Sequence, residues 1–281
     1  MKTTTLPKKT QVEISNFIKW LRDENNLSEC TVRNYYESMI LFFREYDSFT
    51  KDNCKLYISD ITAKGFSVQT CNLRISAFNK YMIFKKMDKY KLKGFVTQRT
   101  LHLENVPSEQ QYKKLIEFLE THKNQDYKYW MKVLACTGAR IGEFLQFTWE
   151  GIEKGNFIIL GKGAKFRNFY IQENLSKEIT LYKKKYNKTG AFAKNRFGKP
   201  ITARGFSQEL VFWGTKAGLP KEILHPHAFR HFFAKQYLKS SNGDIVQLSD
   251  FLGHSSLDMT RIYTMKSKQE QYNDFNKYVN W

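Results

Sequence analysis

Residues able to hold and attack a phosphate crowd into one stretch, His225 to Thr264, which reads HPHAFRHFFAKQYLKSSNGDIVQLSDFLGHSSLDMTRIYT. His227 and Arg230 stand three apart, the spacing at which two side chains share a helix face. Pro226 suits the first turn of such a helix, where a missing N–H costs nothing. A Leu-Gly-His run ends at His254, and Tyr263 follows nine residues later. A fixed cation, two imidazoles and a phenol suit the binding and displacement of a phosphate. Taken singly, each is equally at home as packing or as a surface pair; the order and spacing of the set carry the reading. Upstream, in TGARIGEF, Gly138 can break a helix and Arg140 opens the next. An arginine at a buried helix start is costly unless it meets an anion or a carboxylate, and Glu143 is a carboxylate at i+3.

The elements that must carry these groups follow from periodicity. Residues 11–93 read as a small all-helical domain, with helices over Gln11–Asp23, from Ser28 (as N-cap) to about Tyr46, a short one after Asp60, and one from Val68 to about Phe84. The last draws its core face from Leu73, Ile75, Phe78, Tyr81 and Met82. Residues 94–106 lose the helical period and form the linker. Ser108 with Gln111 fits a capping box, and a deeply buried helix should span about Tyr127 to Cys136. At 156–171 the period changes: NFIIL and FRNFYI flank GKGAK, a hairpin with Lys162 and Lys165 at its tip. That turn is too short for a Walker phosphate loop. Helices over 175–186 and 203–217 follow, the second with Phe206, Leu210, Phe212 and Trp213 inward. Another spans Asp244 to Leu252, and Lys266–Trp281 forms a polar and aromatic tail.

The formal charge of +19 is the strongest global signal and points to a polyanion, nucleic acid first. It is spread over both parts: residues 1–95 hold 17 lysines and arginines against 10 acids, and residues 96–281 hold 29 against 17. Two basic halves suit a clamp around nucleic acid better than an appended tail. No apolar run reaches the roughly 18 residues of a membrane span, and MKTTTLPKKT lacks a signal-peptide core, so the expected location is cytoplasmic, with no membrane partner. Cys30, Cys54, Cys71 and Cys136 are scattered, which predicts buried free thiols and no zinc site or disulfide framework.

TGAR at 137–140, GKG at 161–163, HAFR at 227–230, LGH at 252–254 and Tyr263 together resemble the tyrosine recombinase (phage integrase) family, most nearly its Xer-like and transposon-borne simple recombinases. The resemblance covers residues 108–265 well; before them, Ser28, Thr31, Tyr35 and Phe43 resemble the pattern of the family's core-binding domain. It implies a mainly α fold with a small β-sheet: a two-domain, C-shaped clamp. Residues 1–93 would be the DNA-binding domain, 94–106 the linker, and 107–281 the catalytic domain, with a helical tail at 266–281. It further implies site-specific strand cleavage through a 3′-phosphotyrosyl bond and a Holliday junction, with Tyr263 as nucleophile. Arg140 and Arg230 would hold the phosphate. Lys162 would protonate the leaving 5′-oxygen, His227 would act as base or proton shuttle, and His254 would donate a hydrogen bond. Glu143 would support the arginine loop. No cofactor, metal or ATP is expected. The implied partner is double-stranded DNA with an inverted-repeat core site, bound by a homotetramer on two duplexes, with an accessory protein left open. One departure is His225, where a small residue such as serine or threonine is expected; it leaves the core set intact and makes His225 a decoy among the histidines. Two rivals share parts of the pattern: a type IB topoisomerase, and a DNA-binding protein whose catalytic set is vestigial.

Overall fold

The computed structural model describes residues 6–281 except 26, 47, 98–104, 122–124, 162–165, 242, 255, 265–267 and 280, and leaves aside the side chains of 268–271 and 274. The chain divides into two compact units, Met1–Arg99 and Thr100–Trp281.

The first unit holds α1 (Lys8–Asp23), α2 (Glu29–Glu45), α3 (Lys51–Ala63) and α4 (Val68–Phe84). Ser28, Thr50 and Ser67 each accept a backbone N–H from three residues on, so α2, α3 and α4 begin at side-chain caps. Its core is aromatic. Phe42 stacks on Phe49 at 5.1 Å, and Phe17 meets Tyr81 edge-on at 5.0 Å. Several expectations need correction. α1 starts at Lys8 rather than Gln11. The third helix lies before residue 63, not after Asp60; Cys54, Tyr57 and Ile61 give it a buried stripe that its polar composition hides. Leu73 faces outward at 37% exposure, because Cys71, Ile75, Phe78 and Met82 already fill that side of α4. Cys30 is exposed rather than buried, being in the first turn of α2.

The chain leaving this unit is pinned along α4. The Asn72 amide donates to Phe95 O at 2.9 Å and accepts from Phe95 N at 2.7 Å; Asn79 does the same with Leu92 at 2.9 and 2.8 Å. The seven-residue helical step and the three-residue extended step both cover about 10 Å, so the two amides match the strand spacing. Gly94 permits the approach, since a Cβ there would stand 3.0 Å from Asn72 Oδ1.

The second unit holds α5 (Glu109–Glu120), α6 (Asp126–Thr137), α7 (Ile141–Phe144), α8 (Trp149–Lys154), the hairpin β1 (Asn156–Leu160) and β2 (Phe166–Tyr170), α9 (Glu173–Lys185), α10 (Ala203–Lys216), α11 (Pro226–Ser240), α12 (Ile245–Leu252), α13 (Asp258–Arg261) and α14 (Lys268–Tyr278). The expected Ser108–Gln111 capping box is present. The strands pair antiparallel, Asn156 opposite Tyr170 and Leu160 opposite Phe166. Buried α6, with Trp130, Val133 and Leu134, runs through the core beside α11. On α10, Phe206 and Leu210 are buried but Phe212 is half exposed, since Leu210 and Gly214 take the inward positions. Gly214 is needed there: a Cβ would meet Leu224 at 2.2 Å.

Candidate active site

Two glycines set up the site. α6 ends at Gly138 in the left-handed region (φ 56°), and a Cβ there would strike the Phe233 ring at 2.4 Å. The turn aims the Gly138 carbonyl at Arg230 and begins α7 at Arg140. α12 ends at Gly253 (φ 58°), where a Cβ would stand 2.9 Å from Arg167 Cδ. In Leu-Gly-His, therefore, Leu252 is core, Gly253 stops the helix and clears space, and His254 is delivered to the site.

The end of α12 gathers three arginines. The last carbonyls of a helix lack intrahelical partners and carry the negative end of its dipole. Here Phe251 O accepts from Arg167, Leu252 O accepts from both Arg230 (2.6 Å) and Arg140 (3.4 Å), and Gly253 O accepts from Arg140 (3.4 Å). Arg230 also donates to Gly138 O at 2.8 Å and is 1% exposed. One carboxylate joins the group. Glu143 accepts the Arg140 backbone N–H at 2.8 Å and its guanidinium at 3.2 Å, and ion-pairs with buried Arg167. Burial holds Arg167 and Arg230 down to about 10 despite the stabilising pull of Glu143. Three guanidiniums against one carboxylate leave an uncompensated positive centre, and Arg140, the most open of them, faces a cavity of about 850 Å³ with Arg167, Asn168, Gln247 and His254. Such a centre is built for an anion.

The remaining expected residues sit as follows. Tyr263, 7% exposed, lies parallel to His254 with centroids 6.2 Å apart, and the Arg230 charge acts on its hydroxyl. His254 Nδ1 meets the hydroxyl of fully buried Thr260 at 2.8 Å, which leaves Nε2 to face outward chemistry. His227 is at the exposed end of α11, on the Arg230 side. Arg140, Glu143, His227, Arg230, His254 and Tyr263 thus come together; Lys162, like Lys165, lies outside the described residues. His225 caps α11: its Nδ1 accepts the Ala228 N–H at 3.1 Å, the task expected of serine or threonine. His225→Ser should therefore keep stability, and His225→Ala should lose about 1 kcal/mol in denaturant unfolding.

Three residues escaped the sequence reading. Arg167 carried a signal: in FRNFY it shares a strand face with buried Phe169, a position where a cation needs a partner. His231, four after His227, touches the Tyr263 hydroxyl at 3.0 Å. Thr260 gave no signal beyond its nearness to Tyr263.

Burial lowers all four site imidazoles, His225, His227, His231 to about 3 and His254 to about 4, and neighbouring cations reinforce it at the last three. Unfolded, each titrates near 6.5, so below that value the unfolded chain binds more protons than the folded one. The stabilisation is complete above about pH 6.5 and falls as pH drops toward the folded values. We expect the melting temperature to decline by several degrees between about pH 7 and pH 5, above the range where carboxylates titrate. A flat profile there would contradict buried neutral imidazoles.

Residues 106–270 match the phage integrase family. The chain is 26% identical to the tyrosine recombinase XerC of Bacillus subtilis (strain 168), over 92% of this chain and 93% of XerC. In structure it resembles the XerH site-specific recombinase bound to difH substrate in a pre-cleavage complex, with a TM-score of 0.68 at 19% identity, covering 98% of this chain and 90% of XerH. It also resembles a lambda integrase tetramer bound to a Holliday junction, with a TM-score of 0.70 at 16% identity, covering 92% of this chain and 79% of that one.

Proposed function

We infer the mechanism from the premise that this chain belongs to the phage integrase family and is a tyrosine recombinase, an enzyme that cleaves and rejoins DNA. The observation that carries the inference is the positive centre of Arg140, Arg167 and Arg230 held beside the Tyr263 hydroxyl. Tyr263 Oη attacks a backbone phosphorus, the P–O5′ bond breaks, and a 3′-phosphotyrosyl link conserves the bond energy for rejoining. Arg140 and Arg230 hold the non-bridging oxygens and offset the charge that develops in the transition state. His254, with Nδ1 taken by Thr260, donates through Nε2; His227 borders the same phosphate. Lys162 gives a proton to the leaving 5′-oxygen. Glu143 and Arg167 act through Arg140 and the α12 carbonyls rather than on DNA.

Residues 1–93 serve as the core-binding domain and 107–281 as the catalytic domain, joined by 94–106. The substrate is duplex DNA with an inverted-repeat core site. Four subunits join two duplexes and exchange strands in pairs through a Holliday junction, in the cytoplasm. The deciding experiment incubates the chain with a nicked duplex built from the inverted repeats that flank its gene. An SDS-resistant adduct and a synaptic complex of two duplexes support recombination. Efficient relaxation of any supercoiled plasmid without synapsis would favour a topoisomerase instead.

The tail supports assembly. On α14 and just beyond, Tyr272, Phe275, Tyr278 and Trp281 are exposed, a set of aromatics left uncovered in the single chain. Removal of the residues after Lys266 should leave binding to one site intact and weaken synapsis at least about tenfold in gel-shift titrations, a loss of about 1.4 kcal/mol. Equal synapsis by the shortened chain would remove the tail from the assembly.

A further inference from the structure

The Tyr263 oxygen has two neighbours of opposite use. The Arg230 charge acts on it and favours the phenolate. His231 Nδ1 lies 3.0 Å from the same oxygen. A phenol has one proton to give. With the imidazole proton on Nε2, the Nδ1 lone pair is the acceptor.

Neither His227 nor His254 occupies this position. The His227 ring, one turn earlier on α11, packs edge-on against His231 with centroids 4.2 Å apart. His254 commits Nδ1 to Thr260 and presents a ring face to Tyr263.

We propose that His231 is a catalytic residue of this enzyme, the base that takes the Tyr263 proton as its oxygen attacks phosphorus. The inference rests on the reading of Tyr263 as nucleophile. As the Oη–P bond forms and the P–O5′ bond breaks, the phenol proton passes to His231 Nδ1, and the 5′-oxygen receives a proton from Lys162. Rejoining runs the same transfers in reverse: the 5′-hydroxyl returns its proton to Lys162, and the His231 imidazolium returns its own to the departing phenolate.

The surroundings make this base depend on substrate. In the DNA-free chain, burial lowers His231 first, followed by His227, His225, Arg230 and Lys235, and Tyr263 faces it from beyond α13. Burial also raises the Tyr263 phenol, so no proton moves at rest. A phosphodiester between Arg140 and Arg230 sets negative charge against these cations, which raises the affinity of a nearby imidazole for a proton. The base strengthens when the phosphate is seated.

The test measures adduct formation on the nicked duplex at saturating protein, from about pH 6 to 10. His231→Asn keeps an acceptor near the Nδ1 position but cannot take up a proton. Its cleavage rate should fall about 10²-fold or more near neutrality and keep rising with pH, closing on the unaltered chain as phenolate forms. A fluorinated, more acidic tyrosine at 263 should rescue His231→Asn far more than it speeds the unaltered chain. His227→Asn should slow cleavage without either signature. A His231→Asn profile parallel to that of the unaltered chain, with no selective rescue, overturns the proposal. DNA-free ¹⁵N-histidine spectra check the contact by itself: Tyr263→Phe should shift His231 Nδ1, and no shift overturns the contact. If the unaltered chain binds DNA but forms no adduct, the reading of Tyr263 as nucleophile fails and the proposal fails with it.

Discussion

Tyr263→Phe is expected to bind DNA as the unaltered chain does and to form no SDS-resistant adduct. The substitution removes one oxygen from a ring that packs against His254, Ala234, Leu248 and Leu252, so the packing survives. What goes is the atom between Arg230 and His231. Loss of a nucleophile held in such a constellation should lower cleavage on the order of 10⁴-fold or more. The stability change should stay near about 1 kcal/mol, the net value of a hydrogen bond. A trapping gel and a gel-shift titration on the same nicked duplex separate the two effects. Adduct at undiminished yield would mean that another side chain attacks, and would return the function to a topoisomerase or a DNA-binding relic with a different centre.

Glu143→Ala should be the most damaging change that does not touch substrate. The carboxylate is 4% exposed and is the acid that pairs with both Arg140 and Arg167. Its removal leaves Arg167 buried beside two like charges, with the Phe251 carbonyl as its remaining acceptor. Breaking one side of a buried pair costs about 3–5 kcal/mol. Denaturant unfolding should show that loss, and cleavage should fall with it because Arg140 loses both of its contacts to Glu143. Glu143→Gln, which keeps hydrogen bonds but not charge, should recover part of the stability. A loss below about 1 kcal/mol for Glu143→Ala would show that the α12 carbonyls hold the arginines unaided.

Much of the second unit was legible because its signals are local. Ser108 with Gln111, Gly138, the β-rich runs at 156–160 and 166–170, Pro226 and Gly253 each act through neighbours within a few residues, and each begins or ends an element where expected. The third helix was misplaced because a polar helix shows a stripe only once its partners cover it, and Leu73 and Phe212 because composition marks a residue as apolar without saying which face is covered.

The residue types and order of the expected site were written in the chain itself: two arginines, a lysine, two imidazoles, a carboxylate and a phenol, most of them on elements whose ends are fixed by glycine and proline. The chain also carries the excess positive charge that makes DNA the natural ligand. Packing alone brings the last carbonyls of α12 to Arg140, Arg167 and Arg230, sets Glu143 against two of those cations, and places His231 rather than His227 at the Tyr263 hydroxyl. The physical reason is distance along the chain. A helix cap spans three residues, but Arg140 and Leu252 are 112 residues apart and His231 and Tyr263 are 32 apart. No periodicity reports such pairs, because they exist only once the core has packed and the buried charges must find partners.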